Sequence, residues 1–195
     1  MKPTFFKLKQ TWYIAILFAV LVGAASCNKG DENASTETAI KAPSVSILEA
    51  AFFGNVEATK EHIANNTDLN QKDEYGSTPL GIAAMFGKTE VAILLIDGGA
   101  DLNATSADGS TSLHTAAFFG RIEIVKALLE NKVDVTARNS FGATALESVS
   151  APFSDLKPFY DQLSKDLGPL GLKLDYKQLE EARPIIAGMI EAHGK

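Results

Sequence analysis

The chain has little of what a catalytic or disulfide-held protein needs. Among 195 residues there is one cysteine, Cys27, so no intramolecular disulfide can form. There are three histidines, His62, His114 and His193, none at a spacing that suits a shared metal. No G-x-S-x-G and no glycine-rich phosphate loop is present; Gly98-Gly99 follows a helical pattern as its stop. Asp68, Asp101 and Asp134 recur at one interval, as turn residues do, and do not form an acid/base pair. No catalytic residue, metal or cofactor is therefore expected. The longest apolar run extends only from Trp12 to Ala25, short of a typical membrane-spanning helix.

That run belongs to a leader. Lys2, Lys7 and Lys9 precede it without an acid, and Gly23-Ala24-Ala25-Ser26 leads to Cys27. A basic start, an apolar stretch and small residues are the parts of a secretory signal peptide, here residues 1–26. The small residues before Cys27 resemble a bacterial lipobox, which implies a Cys27 acylated through its thiol and made the mature N-terminus. The alternatives are an ordinary signal peptide cleaved nearby and an uncleaved anchor. Residues 27–43 are polar, with Asp31, Glu32 and Glu37, and read as a flexible lipidated tether. Lys29 followed by acids resembles a lipoprotein surface-export signal, interrupted by Gly30. An outer-membrane lipoprotein is expected, with surface and periplasm both open as its side.

Basic charge is scarce as well. Without the three leader lysines, 15 basic residues face 24 acidic ones, a net charge of −9. Nucleic acid is disfavoured as a partner, because phosphate binding needs a basic stripe. The same charge favours a basic protein partner, and it also serves solubility.

What the chain does have is an internal echo. Gly76-Ser77-Thr78-Pro79-Leu80 returns as Gly109-Ser110-Thr111-Ser112-Leu113 and as Gly142-Ala143-Thr144-Ala145-Leu146. Ala50-Ala51-Phe52-Phe53-Gly54 returns as Ala83-Ala84-Met85-Phe86-Gly87 and as Ala116-Ala117-Phe118-Phe119-Gly120. Both series keep the same interval, and a fixed period of this size marks a stack of like units. Thr78, Thr111 and Thr144 stand where helix N-caps are wanted, and Pro79 suits a first helical position. Ala83-Ala84 and Ala116-Ala117 let neighbouring helices approach closely. Gly87 and Gly120 end that first helix. Ile124, Val125, Leu128 and Leu129 give one apolar face to a second helix over about 122–131.

These landmarks resemble ankyrin repeats, whose 33-residue unit carries T-P-L-H-x-A. The resemblance runs from Val45 to about Pro152 and resumes near Pro184; Gly81 and Ser112 depart from the motif. It implies an all-α solenoid over residues 44–195 with four repeats, near 44–75, 76–108, 109–141 and 142–195. It also implies that His114 bonds neighbouring backbone. Glu61 and His62 replace leucines of the next repeat, so His62 is expected at the surface of an N-terminal cap.

The last repeat departs from the period. Ile185-Ile186 and Met189-Ile190 match Ile124-Val125 and Leu128-Leu129, but at nearly twice the interval that separates the other repeats. The spacing predicts an insertion near 153–180, with one helix over about 155–167 stopped at Gly168-Pro169. Pro184 is expected near the start of the closing helix, after a separate stretch from Tyr176 to Ala182 capped by Asp175. The insertion is expected to cover the apolar end of the stack.

In the ankyrin fold the aromatic pairs and the turn tips face a concave groove. The implied partner-binding residues are Phe52, Met85, Phe86, Phe118 and Phe119, with Glu74, Tyr75, Asp108 and Phe141 at the tips. Stacked units would make a continuous ridge about 20 Å long. Burial is expected most for the second ring of each pair. The function these features imply is non-covalent protein binding by a monomer anchored in the envelope through its lipid. Rival readings are an inhibitor or immunity protein for a periplasmic enzyme or toxin, and a structural tether of the envelope. A last rival is an enzyme using Tyr160, Asp161, Asp166 and Asp175 of the insertion.

Overall fold

Each inner helix begins on a hydroxyl. Ser46, Thr78, Thr111 and Thr144 stand extended before α1 (Ile47–Phe53), α3 (Pro79–Phe86), α5 (Ser112–Phe118) and α7 (Ala145–Ser150). Their side-chain oxygens accept the backbone N–H of Glu49, Gly81, His114 and Glu147, which the first turn leaves without helical partners. Glu49, His114 and Glu147 reach back to the cap residue and close capping boxes. Pro79 fills the first helical position of α3, where no N–H is missed. The structure, a computed structural model, describes residues 43–194; the leader, Cys27 and the tether up to residue 42 lie outside them.

The outer helices are α2 (Val56–Ala64), α4 (Thr89–Asp97) and α6 (Ile122–Glu130). An inserted helix α8 (Phe153–Leu167) and a 3₁₀ turn (Gly168–Leu170) precede α9 (Tyr176–His193). Helices α1, α3, α5 and α7 pack in succession as an inner row. Helices α2, α4, α6 and α9 form the outer row. Inner helices meet through Ala83, Ala84, Ala116 and Ala117, all fully buried. Their small side chains bring the rows close enough for Leu80, Leu95, Ile124, Leu128 and Ile186 to fill the space between rows.

The turn after each inner helix needs glycine twice over. Gly87 has φ +65°, a left-handed conformation that disfavours a Cβ. A Cβ there would also stand 2.9 Å from the guanidinium carbon of Arg121 in the next repeat. Gly54 lies in the same way under Lys88, and Gly120 under Leu179 of α9.

The loops are tied by a second ladder. Asp68, Asp101 and Asp134 accept the N–H of Asn70, Asn103 and Thr136, two residues on. Asn70 and Asn103 then accept the N–H of Asp101 and Asp134 in the next repeat, at 2.7 and 2.9 Å. The ladder stops at Thr136, whose hydroxyl turns back to Asp134. At the tips, Ala107 N–H donates to the Tyr75 carbonyl and Ser140 N–H to that of Asp108. Among the described residues there is no strand, only an isolated antiparallel bridge between Thr105 and Thr111.

Two expectations need correction. His62 is buried: its Nε2 meets the Val45 carbonyl at 2.8 Å and its Nδ1 the Thr67 hydroxyl at 3.2 Å, pinning the chain before α1 to α2. Pro184 lies in the middle of one continuous α9, not at the start of a closing helix. The carbonyl of Glu180, one turn before it, loses its helical donor, but both residues are exposed and water can take that place. The inserted α8 and 3₁₀ turn pack on the aromatic ends of the inner helices at Phe118 and Phe119, while α9 takes the last place in the outer row, on α6 and α7. His114 does bond neighbouring backbone: its Nδ1 accepts Thr111 N–H, and its Nε2 donates to the Ala143 carbonyl at 3.0 Å.

The packing makes Leu95 a central residue, fully buried between the rows. Leu95→Ala removes about 2–5 kcal/mol of stability through lost burial and the cavity left behind. Urea unfolding followed by circular dichroism reads this as a lower midpoint, with native helical content retained before the transition.

Candidate interaction surface

The aromatic pairs at the ends of the inner helices form a ladder that runs from repeat to repeat. Phe52, the first ring of its pair, meets Phe86, the second ring of the next pair, edge to face at 4.7 Å. Met85 and Phe86 pack into the cluster around Phe119. Phe118 meets Tyr160 of α8 at 4.6 Å. Tyr160 thus takes the place that the second ring of a fourth pair would hold, where the sequence has Pro152. Phe53 is the second ring of the first pair. Among the described residues no repeat precedes it, and it is 68% exposed.

The inserted segment closes the far half of this ridge. Leu167 and Leu172 are buried against Phe119, with Leu163 and Leu174 beside them. Phe119 is left 6% exposed. The closure is held by polar groups. The fully buried Tyr160 donates its hydroxyl to the Phe118 carbonyl at 2.7 Å. Arg183 Nη1 donates to the same hydroxyl at 3.1 Å. Arg183 Nη2 donates to the Ser148 and Ala151 carbonyls at 3.1 and 2.7 Å. Arg183 is only 3% exposed, so its charge is solvated by one phenol and two carbonyls in place of water. Burial raises the Tyr160 pKa to about 12, with Arg183 pulling it the other way.

The ridge is therefore interrupted rather than continuous. Phe52 and Phe86 are half-buried against each other, and Phe118 is half-buried beneath Tyr160. Met85 is half-buried beside the closed half. Phe119 is withdrawn from any partner, because the inserted leucines sit on it. The expectation that second rings are the buried ones holds at Phe119 and fails at Phe53. Glu74, Asp108 and Phe141 are exposed at the tips, and Tyr75 is partly buried. Burial, followed by the neighbouring Glu74 and Asp73 carboxylates, raises the Tyr75 pKa. Beneath the ridge, Arg121 donates to the Met85 carbonyl at 3.0 Å. Burial holds its pKa below the usual guanidinium value.

Sequence reasoning placed Phe53 in the aromatic stripe but left it out of the binding set, and it missed the Tyr160–Arg183 pair. Phe53 was findable, since it is the unit's second ring in a repeat with no like unit before it. The pair left no trace, because 23 residues of unrelated spacing separate its members.

The polar groups of the insertion have structural tasks. Asp161 pairs with Lys157 at 2.9 Å, which holds its carboxyl below the usual carboxylate range. Asp166 accepts from Gln162, and Asp175 caps α9 through the N–H groups of Lys177 and Gln178. A cleft of about 150 Å³ lies between the Phe119–Arg121 turn and Lys173–Leu179, below the usual size of small-molecule sites. Among the described residues no three His, Cys, Asp or Glu side chains could jointly hold a metal.

The pair that holds α8 down yields a direct test. Tyr160→Phe leaves the Phe118 carbonyl and one Arg183 N–H without their partner, at a cost of about 1–3 kcal/mol. Hydrogen exchange speeds up over 153–174 and stays unchanged over 79–100. The phenol also gives a pH signature. Its folded pKa lies above the unfolded value, so its contribution is intact below pH about 10 and is lost as pH rises towards about 12. The alkaline fall of the unfolding midpoint is shallower in Tyr160→Phe.

Comparison with known families agrees with this geometry. Residues 47–139 match the family model described as ankyrin repeats, in three copies. No curated protein is significantly similar to the chain. With the inner and outer helix rows in place, the fold is an all-α ankyrin-repeat solenoid, and residues 47–139 are its ankyrin repeats.

Proposed function

We propose that the protein is a non-catalytic binding protein for another protein, held at a bacterial cell envelope by a lipid on Cys27. Ankyrin repeats in general serve protein–protein interaction. The observation that carries the reading here is the open half of the aromatic ridge. Phe52, Phe53 and Phe86 lie at the surface, on elements that the stack below holds rigid. Wet aromatic rings on a rigid frame are the usual anchors of protein interfaces.

The leader supports the location. A basic start, an apolar run and Gly23-Ala24-Ala25-Ser26-Cys27 together suit an outer-membrane lipoprotein on its periplasmic or outer side. The net charge of −9 favours a second, narrower version, an inhibitor or immunity protein for a basic enzyme or toxin. Both versions use one chain as a monomer. The enzyme alternative has less support, since Tyr160, Asp161, Asp166 and Asp175 each serve packing or capping.

Two experiments test the reading. Chemical cross-linking in intact cells, followed by capture of the tagged full chain, recovers a stoichiometric protein partner that the Phe52→Ala/Phe86→Ala variant loses while keeping its helical content. Recovery by both chains alike would remove the ridge from the mechanism. Separately, metabolic labelling with an alkyne fatty acid marks the wild-type chain at the membrane. Cys27→Ser abolishes the label; a label that survives it would overturn the lipid anchor.

A further inference from the structure

The open and closed halves of the ridge differ in charge as well as in cover. Residues 44–108 carry three basic residues, Lys60, Lys72 and Lys88, against ten acidic ones, a balance of −7. Residues 109–194 carry nine basic residues against eleven acidic ones, a balance of −2. Most of the excess negative charge therefore belongs to the repeats whose aromatic rings stay exposed.

Two of the three basic groups of that half are already engaged. Lys60 pairs with Glu57 at 2.9 Å, and Lys72 donates to the Thr105 carbonyl at 2.7 Å. Lys88 lays its aliphatic chain over Gly54. Glu49, one helical turn before Phe53 on α1, is exposed, with one carboxylate oxygen turned back to Ser46. Glu74 is exposed at the first tip.

Phe53 itself lacks a contact that its equivalents have. Phe86 packs on Phe52 of the repeat before, and Phe119 shares a cluster with Met85 of the repeat before. Among the described residues, the one aromatic ring that Phe53 meets is that of its neighbour Phe52, at 4.9 Å. The position that an earlier repeat would fill with an apolar side chain is open to solvent.

From these observations we infer that the first repeat's Phe53 is the docking point for a basic protein segment. An apolar side chain of that segment covers Phe53 as the missing rung of the ladder, and its Lys or Arg residues face Glu49 and Glu74. The segment ends where the inserted leucines begin, because Phe119 and the far half are already covered. This inference rests on the protein-binding reading and fixes where on the ridge, and to what chemistry, the protein binds.

The test selects a random-peptide display library on the detergent-solubilised full chain. Enriched peptides carry net positive charge and a large apolar residue. Their affinity falls about tenfold or more in Phe53→Ala and in Glu74→Lys, stays within about twofold in Phe159→Ala on α8, and weakens with added salt. Phe53 is exposed enough that its truncation leaves no cavity, and an unchanged melting temperature checks this. Neutral or acidic enriched peptides, or peptides sensitive to Phe159→Ala but not to Phe53→Ala, overturn the inference and leave the binding reading standing. If no peptide exceeds the display background, the binding reading falls with it. Sedimentation of the full chain gives the last arm: a dimer abolished by Phe53→Ala places a second copy on that ring and overturns the basic-segment assignment.

Discussion

No helix pair in this stack can bury its own apolar faces; each depends on the pair beside it. The inner helices are lined with alanine, so they offer close approach rather than bulk. Ala83, Ala84, Ala116 and Ala117 reach zero exposure only because a neighbouring inner helix lies on each side. The same dependence runs through the polar parts. Asn70 and Asn103 bond the next repeat's backbone, the tips bond each other, and Arg121 crosses Gly87. In such a one-dimensional stack the interesting positions are the ends, where the dependence is left unmet.

The two ends solve the problem differently. At the C-terminal end the chain supplies substitutes from outside the period. Helix α9 takes the outer-row place, Leu179 takes the place of a long side chain over Gly120, and Tyr160 takes the place of an aromatic ring over Phe118. The substitution requires Arg183 in a nearly dry site. Its charge is tolerable there because a phenol and two carbonyls converge on it. At the N-terminal end, within the described residues, single side chains such as Ser46, Asn55 and His62 close off backbone groups. Nothing in those residues closes off Phe53. A surface that is unfinished in one place and overbuilt in the other gives the protein a polarity that its repeats alone do not have.

The repeat chemistry was legible because it is local. Hydroxyl caps at Thr78, Thr111 and Thr144, the glycines Gly87 and Gly120, and the apolar face of α6 each depend on residues within one or two turns. Their spacing therefore carries the information. The role of His114 came from the ankyrin resemblance, since one of its partners, the Ala143 carbonyl, belongs to the next unit. His62 was not legible, because the Val45 carbonyl that buries it belongs to an irregular lead-in without a pattern. The single helix α9 was obscured by Pro184, whose cost depends on whether the freed carbonyl is wet.

The order of residues alone specifies the period, the helix pairs, the positions of caps and left-handed glycines, and the existence of an insertion. These follow from short-range backbone chemistry that returns at a constant interval. Where the insertion lies, and hence which aromatic rings remain open, emerges only when the chain is folded. Burial of leucines on Phe119, and the meeting of Tyr160 with Arg183, depend on contacts between segments whose spacing follows no period. Packing in three dimensions, not sequence distance, selects which apolar surface is covered.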